Sequence, residues 1–202
     1  RSPAAVVLNA AMLDAGCQSS GQRSHCSSWY RHLVSRLRLM PRYGCEDYDM
    51  QVVGIVGGVA SGKSLVACRL VELGAALIDG DATGHDVLCE PDVIGQIVDR
   101  WGTGVLDADG AIDRSAVACR VFATGPGGAE DLAFLEAIMF PCIRRRIEDQ
   151  IETWRAAGDI EVAVVDAAVM FKAGWDRNCD IILFVDAPRA DRLSRAQSRG
   201  WT

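Results

Sequence analysis

Residues 57–64 read Gly57-Gly58-Val59-Ala60-Ser61-Gly62-Lys63-Ser64, with the spacing G-x-x-x-x-G-K-[ST]. Glycines in such a run let backbone N–H groups turn inward around an anion with no Cβ in the way. Lys63 is a slim ammonium on a flexible stem that reaches the β- and γ-phosphates of a nucleotide. The Ser64 hydroxyl is an oxygen ligand for Mg²⁺. Only Lys63 and Lys172 are lysine; every other basic side chain of the 21 is arginine. Lysine therefore stands where a compact point charge on a phosphate is wanted.

Three more groups carry chemistry. Asp79-Gly80-Asp81 follows Leu77-Ile78, and Asp166 follows Val164-Val165. Acids at the C-terminal ends of strands face the crevice where open α/β sheets bind ligands. Asp81, and with it Asp79, is expected toward the phosphate site, and Asp166 toward the metal of a P-loop site. A bare D-x-D is as readily a solvated turn; its place one strand beyond the loop favours the functional reading. Arg192, Arg195 and Arg199 recur at three- to four-residue spacing, on one face of a helix. Arginines on a helix after the last strands suit a lid closing over phosphates. Arg144-Arg145-Arg146 reads first as a solvated face, with an anion contact as the rival reading.

The elements that must position these groups are legible. Residues 51–56 form a β-branched run before the glycine loop, and 64–73 show helical spacing at Leu65, Val66, Leu70 and Leu73, stopped by Gly74. Residues 75–78, 161–166 and 181–186 predict further strands. A largely helical stretch fills about 82–158. Within it 102–114 is a turn-rich connector, Gly125 to Gly128 a break, and Leu132 to Trp154 a long amphipathic helix that Pro141 kinks or interrupts. Strands alternating with helices predict an α/β fold: a doubly wound parallel sheet with an inserted helical subdomain and an incomplete lid from about 189 to 202.

The chain has 202 residues, half of them hydrophobic, and a formal charge of −6. That is enough apolar material for a core, and the acidic balance argues against a general nucleic-acid or membrane-surface binder. No apolar run approaches the length of a membrane span. The eight cysteines form no C-x-x-C pair, so zinc and thioredoxin-like chemistry have no support. Cys68, Cys119 and Cys142 lie in apolar helical patterns and are expected to be small buried hydrophobes, reduced as in a cytoplasm.

Residues 1–49 differ. Six arginines and four acids give them a formal +2, against −8 for the remainder. Residues 4–15 and 29–40 suit helices. A secretory signal fits poorly, because Asp14 precedes Gly16-Cys17. An Arg- and Ser-rich organellar presequence fits better. A third reading, slightly favoured, is that the stretch is no functional part of the protein, since Met50 stands directly before the first strand. Poor order is expected over 1–49, and a chain starting at Met50 is expected to fold alone.

From Met50 to Thr202 the chain resembles the dephospho-coenzyme A kinase family. Residues 57–64 are like its P-loop, and Leu77 to Asp81 is similar to its I-D-x-D segment. Asp109-Gly110-Ala111-Ile112-Asp113-Arg114, with Val121-Phe122, resembles its D-G-x-(I/L)-D-R…V-F stretch. Asp166 to Gly174 looks like D-x-P-L-L-F-E-x-G, and Arg192 to Arg199 like the opening of its lid. The P-loop is shared by many enzymes; the combination is specific. The chain departs from the family pattern at Leu65, at Phe140 before Pro141, and at Ala168 and Lys172, where the family has threonine, histidine, proline and glutamate. The departures bear on substrate contacts.

The resemblance implies transfer of the ATP γ-phosphoryl group to the 3′-hydroxyl of dephospho-coenzyme A, with Mg²⁺. It gives Asp81 the role of base and Lys63 that of phosphate ligand. Residues 57–65, Arg195 and Arg199 would hold ATP, Ser64 and Asp166 the metal, and Asp79 and Arg114 the acceptor. Another P-loop kinase, or a chain that binds ATP without completing catalysis, are the alternatives. A guanine-nucleotide switch lacks its N-K-x-D stretch, and a transporter ATPase its L-S-G-G-Q.

Overall fold

In the computed structural model, residues 3–9 and 50–200 are described. Among these residues five strands form one sheet in the order β1-β5-β2-β4-β3: β1 (Ala4–Asn9), β2 (Gln51–Gly57), β3 (Ala76–Asp79), β4 (Val162–Asp166) and β5 (Ile181–Asp186). The pairs β1–β5, β5–β2 and β2–β4 are parallel. β2, β4 and the start of β5 are almost wholly buried, as continuous Val/Ile/Leu runs in a covered parallel sheet must be.

The chain divides into two compact units. The first spans Arg1–Leu77 and Trp154–Thr202. Helix α1 (Lys63–Glu72) buries Val66, Ala67 and Leu70 against Val53, Ile55, Val164, Leu183 and Val185. Of the stripe predicted from sequence, Val66 and Leu70 are buried, Leu73 is half-buried and Leu65 is exposed, with Ala67 buried in its stead. On the sheet's other face Gly54 lets side chains close in. A Cβ there would lie 2.6 Å from Met170 Sδ and 2.8 Å from Cys179 Sγ.

The second unit spans Ile78–Thr153. Its helices are α2 (Gly80–Leu88), α3 (Pro91–Trp101), α4 (Arg114–Val121) and most of α5 (Pro126–Ala157). Val87, Val93, Ile97, Trp101, Val117, Ile143 and Ile147 are buried. Trp101 donates from Nε1 to Asp131 at 3.0 Å and meets Phe134 edge-to-face at 5.5 Å. Between α3 and α4 the connector forms a small hairpin, with Leu106 bridging Ile112. The first unit continues with the short α6 (Met170–Ala173) and α7 (Arg189–Ser198).

Several expectations change. Helix α5 begins at Pro126, inside the predicted break, and runs on through Pro141. Pro suits a first helical turn, and the exposed Pro141 ring is accommodated. Residues 4–9 are a strand, not the start of a helix. Val6 and Val7 are β-branched, and β5 offers them an open edge. The predicted helices beyond residue 9 lie outside the described residues. Cys68 and Cys119 are exposed and Cys142 half-buried, against the expectation of burial. On α1 and α4 the buried stripes are Val66/Leu70 and Val117/Val121, which turns Cys68 and Cys119 to the opposite face. Among the described residues the buried thiol is Cys179.

Candidate active site

The glycine loop leaves the C-terminal end of β2 and enters α1. Gly57 pairs in register with Val185, and Ile55 with Asp166. Two residues of the loop lie in the left-handed region, Ala60 at φ 56° and Gly62 at φ 104°. Ala60 is the one non-glycine residue with positive φ among the described residues. That cost, of order 1 kcal/mol or more, is tolerated where the surroundings fix the turn. Gly57 is fixed by close approach: a Cβ there would lie 2.4 Å from the Val185 carbonyl oxygen and 2.7 Å from Ser61 Oγ. Ser61 is 1% exposed, and its Oγ has no hydrogen-bond partner. A buried hydroxyl left unpaired in a loop of this shape is what an anion-binding cradle presents, so the residues fit a nucleotide's phosphates.

The cations gather on the same loop. Lys63 donates from Nζ to the carbonyls of Gly57 at 3.1 Å and Gly58 at 3.4 Å. Arg195 on α7 donates from Nη1 to the carbonyls of Ser61 at 3.3 Å and Ala60 at 3.5 Å. Arg192, one turn earlier, has Nη1 2.7 Å from where a Gly58 Cβ would be. Arg199 lies one turn further on, exposed at the helix C-cap. Sequence reasoning placed Arg192 with Arg195 and Arg199 in a lid closing over phosphates, but named only Arg195 and Arg199 among the residues that would hold ATP. Val59, Ser64 and Leu65 are exposed along the loop and first turn.

For the metal, Ser64 Oγ and the half-buried Asp166, at the end of β4, are hard oxygen donors from one unit. Among the described residues no cluster of three or more His, Cys, Asp or Glu is arranged around a cation. A donor set of one hydroxyl and one carboxylate suits Mg²⁺, which keeps most of its waters and shares substrate phosphates.

The remaining predicted residues belong to the second unit. Asp79 is the N-cap of α2; its Oδ1 accepts from the N–H groups of Asp81 at 2.9 Å and Ala82 at 3.0 Å. Asp81 is exposed in the first turn of that helix. Its carboxylate therefore stands clear of the capping bonds its neighbour makes. Arg114 is exposed at the first position of α4, which Asp113 caps through Ser115 N and Ala116 N. The arginine run pairs internally: Arg146 with Glu90 at 2.7 Å, and Arg144 and Arg145 with acids one turn on, each at 3.9 Å. This is the solvated face. Phe140 is half-buried, while Ala168, just before α6, and Lys172, within it, are exposed.

The family model described as Dephospho-CoA kinase matches residues 51–201. A dephospho-CoA kinase of Symbiobacterium thermophilum is 41% identical over 141 residues, 68% of this chain and 57% of that protein. One of Dehalococcoides mccartyi is 34% identical over 150 residues, 74% of this chain and 73% of that protein. The chain thus spans between about half and three quarters of these relatives. The crystal structure of TT1252 from Thermus thermophilus superposes with a TM-score of 0.62 at 26% identity, covering 76% of this chain and 75% of that one. With a parallel sheet, a left-handed phosphate loop and a match across three quarters of its length, the chain belongs to the dephospho-CoA kinase family, the ATP-dependent kinases of coenzyme A biosynthesis.

Proposed function

We propose that this chain transfers the γ-phosphoryl group of ATP to the 3′-hydroxyl of dephospho-CoA. The observation that carries the reading is the loop itself: left-handed Ala60 and Gly62, the buried unpaired Ser61 hydroxyl, and Lys63 at the loop's mouth. Phosphoryl transfer through a loose transition state is mainly positioning and charge neutralisation. The amides of residues 57–65 and Lys63 hold the phosphates. When ATP binds, Lys63 Nζ exchanges its loop carbonyls for phosphate oxygens, a stronger charge-assisted contact. Ser64 and Asp166 would hold Mg²⁺, which neutralises the phosphate oxygens when bound. Asp81 takes the acceptor's hydroxyl proton. Asp79 fixes the helix start that carries Asp81, and Arg114 meets the anionic part of the acceptor. Arg195 and Arg199 open a lid over residues 189–202 that closes on the nucleotide.

The five free thiols among the described residues suit a reducing compartment, and we assign the reaction to the cytoplasm. No helix among the described residues is long and apolar enough to cross a membrane. The acceptor is a small molecule rather than nucleic acid, as the net charge of −6 favours.

An ADP-release assay with and without dephospho-CoA, and with nucleoside monophosphates as rival acceptors, tests this reading. ADP release stimulated by dephospho-CoA alone, and abolished by Lys63→Ala, is expected. Stimulation by a monophosphate instead would overturn the acceptor. Near-native turnover in Lys63→Ala would overturn the phosphate site.

A further inference from the structure

We propose that Arg192 is a direct ligand of the nucleotide phosphates at this site, a cation additional to Lys63, Arg195 and Arg199; the inference rests on the kinase reading above. Three observations converge. The guanidinium lies on Gly58, whose missing side chain gives it room: a Cβ there would stand 2.7 Å from Nη1 and 3.9 Å from Cζ. Arg192 Nε is buried and has no hydrogen-bond acceptor. Ser61 Oγ, three residues along the same loop, is also buried and unpaired.

An arginine N–H withdrawn from water without an acceptor is costly, because the charge is desolvated with nothing in exchange. Protein carbonyls do not answer the need here. The loop carbonyls of Gly57 and Gly58 accept from Lys63, and those of Ala60 and Ser61 from Arg195. Arg192 is thus the α7 arginine at the loop whose Nε donor is left without an acceptor. A planar, forked guanidinium with that donor unused matches the oxygens of a phosphate chain. Its seat over Gly58 puts it at the start of the loop, at the residue whose carbonyl Lys63 also reaches. A substitution at Gly58 would fill the space the guanidinium uses, so the two residues form one unit.

The class of ligand follows: the polyphosphate of a nucleotide, with little preference for the base. Binding of ATP, ADP and AMP to the whole chain, measured by titration calorimetry, separates the outcomes. Arg192→Gln is expected to weaken ATP and ADP by roughly 10- to 100-fold, the range of a lost charge-assisted bond. AMP should change by less than about threefold, and Arg192→Lys should recover part of the ATP loss. The melting temperature without nucleotide should stay at the native value in both variants. ATP affinity within about twofold of native in Arg192→Gln would overturn the proposal. So would an equal loss for all three nucleotides with a lowered melting temperature, the mark of a packing residue. If Lys63→Ala loses ATP and Arg192→Gln keeps it, this inference fails alone. If the native chain binds no ATP, the kinase reading fails and takes this one with it.

Discussion

Arg195 and Ser61 are 134 positions apart in sequence, and the Arg195 guanidinium donates to the Ser61 carbonyl at 3.3 Å. A second contact reaches the Ala60 carbonyl at 3.5 Å. In a trans peptide the N–H points opposite to the preceding C=O. Holding the carbonyls of Ala60 and Ser61 on one side therefore sets on the other the N–H of Ser61, which donates to the Gly58 carbonyl at 3.2 Å, and that of Gly62. Arg195 shapes the cradle from behind. Through these two carbonyls it acts as a positioning residue for the loop.

This predicts a change in the loop before any nucleotide is added. In Arg195→Ala, amide hydrogen exchange at residues 58–62 should quicken by roughly 5- to 30-fold, equivalent to about 1–2 kcal/mol of lost local stability. Arg195→Lys, which can reach one carbonyl, should fall between. Unchanged exchange at these amides, measured by mass spectrometry or NMR, would show that the contact does not hold the loop.

Asp79 and Asp81 separate into two jobs. Asp79 caps α2 through two N–H groups, so Asp79→Ala should lower stability by about 1 kcal/mol, while Asp79→Asn keeps a capping oxygen and most of the stability. Asp81 makes no capping bond, so Asp81→Asn should leave the melting temperature nearly unchanged. Turnover should fall by roughly 10²–10⁴, toward the low end because the hydroxyl proton leaves late. ATP affinity should be nearly unaltered. A larger turnover loss in Asp79→Asn than in Asp81→Asn would reverse the assignment of the base.

How far sequence carried the structure depends on what each feature needed. The strands at β2, β4 and β5 and the loop between β2 and α1 were legible because a buried β-branched run and a fixed glycine pattern are local signals. The cap at Asp79 is an acid before a helix, but D-x-D serves as cap and as ligand alike, so the sequence alone does not single out the capping role that the structure shows. Cys68 and Cys119 were misplaced because an apolar neighbourhood does not say which side of a helix a residue takes; the phase set by Val66/Leu70 and Val117/Val121 does. Arg192 could not be distinguished from Arg195 by spacing alone. The difference lies in which loop carbonyls face α7, and that is a tertiary fact. The strand at residues 4–9 depends on an edge of β5 more than 170 positions away, beyond any local pattern.

That strand alters one expectation. Pairing of Ala4 through Asn9 with Ile181 through Asp186 packs Ala4, Val6 and Leu8 against the core cluster. Removing residues 1–49 uncovers the edge of β5, including Ile181, Leu183 and Val185, an apolar strand prone to pairing between molecules. A chain starting at Met50 should melt lower than the full chain by several degrees and aggregate at lower concentration, with its P-loop intact. Equal melting temperatures and equal solubility would show that β1 contributes nothing to the sheet.

Cys179 offers a test of the core by pH. It is 5% exposed, packs where Gly54 leaves room, and its thiol sits near the Trp175 carbonyl at 3.8 Å. Burial, with Asp180 and Asp176 adding negative charge, pushes its pKa from 9.0 up to about 12. The folded state thus keeps a proton that the unfolded chain gives up from about pH 9. Stability from this group is complete below pH 9 and is lost as pH rises toward 12, because the unfolded state binds fewer protons in that window. Alkylation at pH 8 should therefore label Cys68, Cys89 and Cys119, which are exposed, and spare Cys179 until denaturant is added. In Cys179→Ala the fall in stability between pH 9 and pH 11 should be shallower than in the native chain, even though the smaller side chain lowers stability at every pH. Parallel pH profiles for the two chains, or rapid labelling of Cys179 in the folded protein, would place the thiol outside the core.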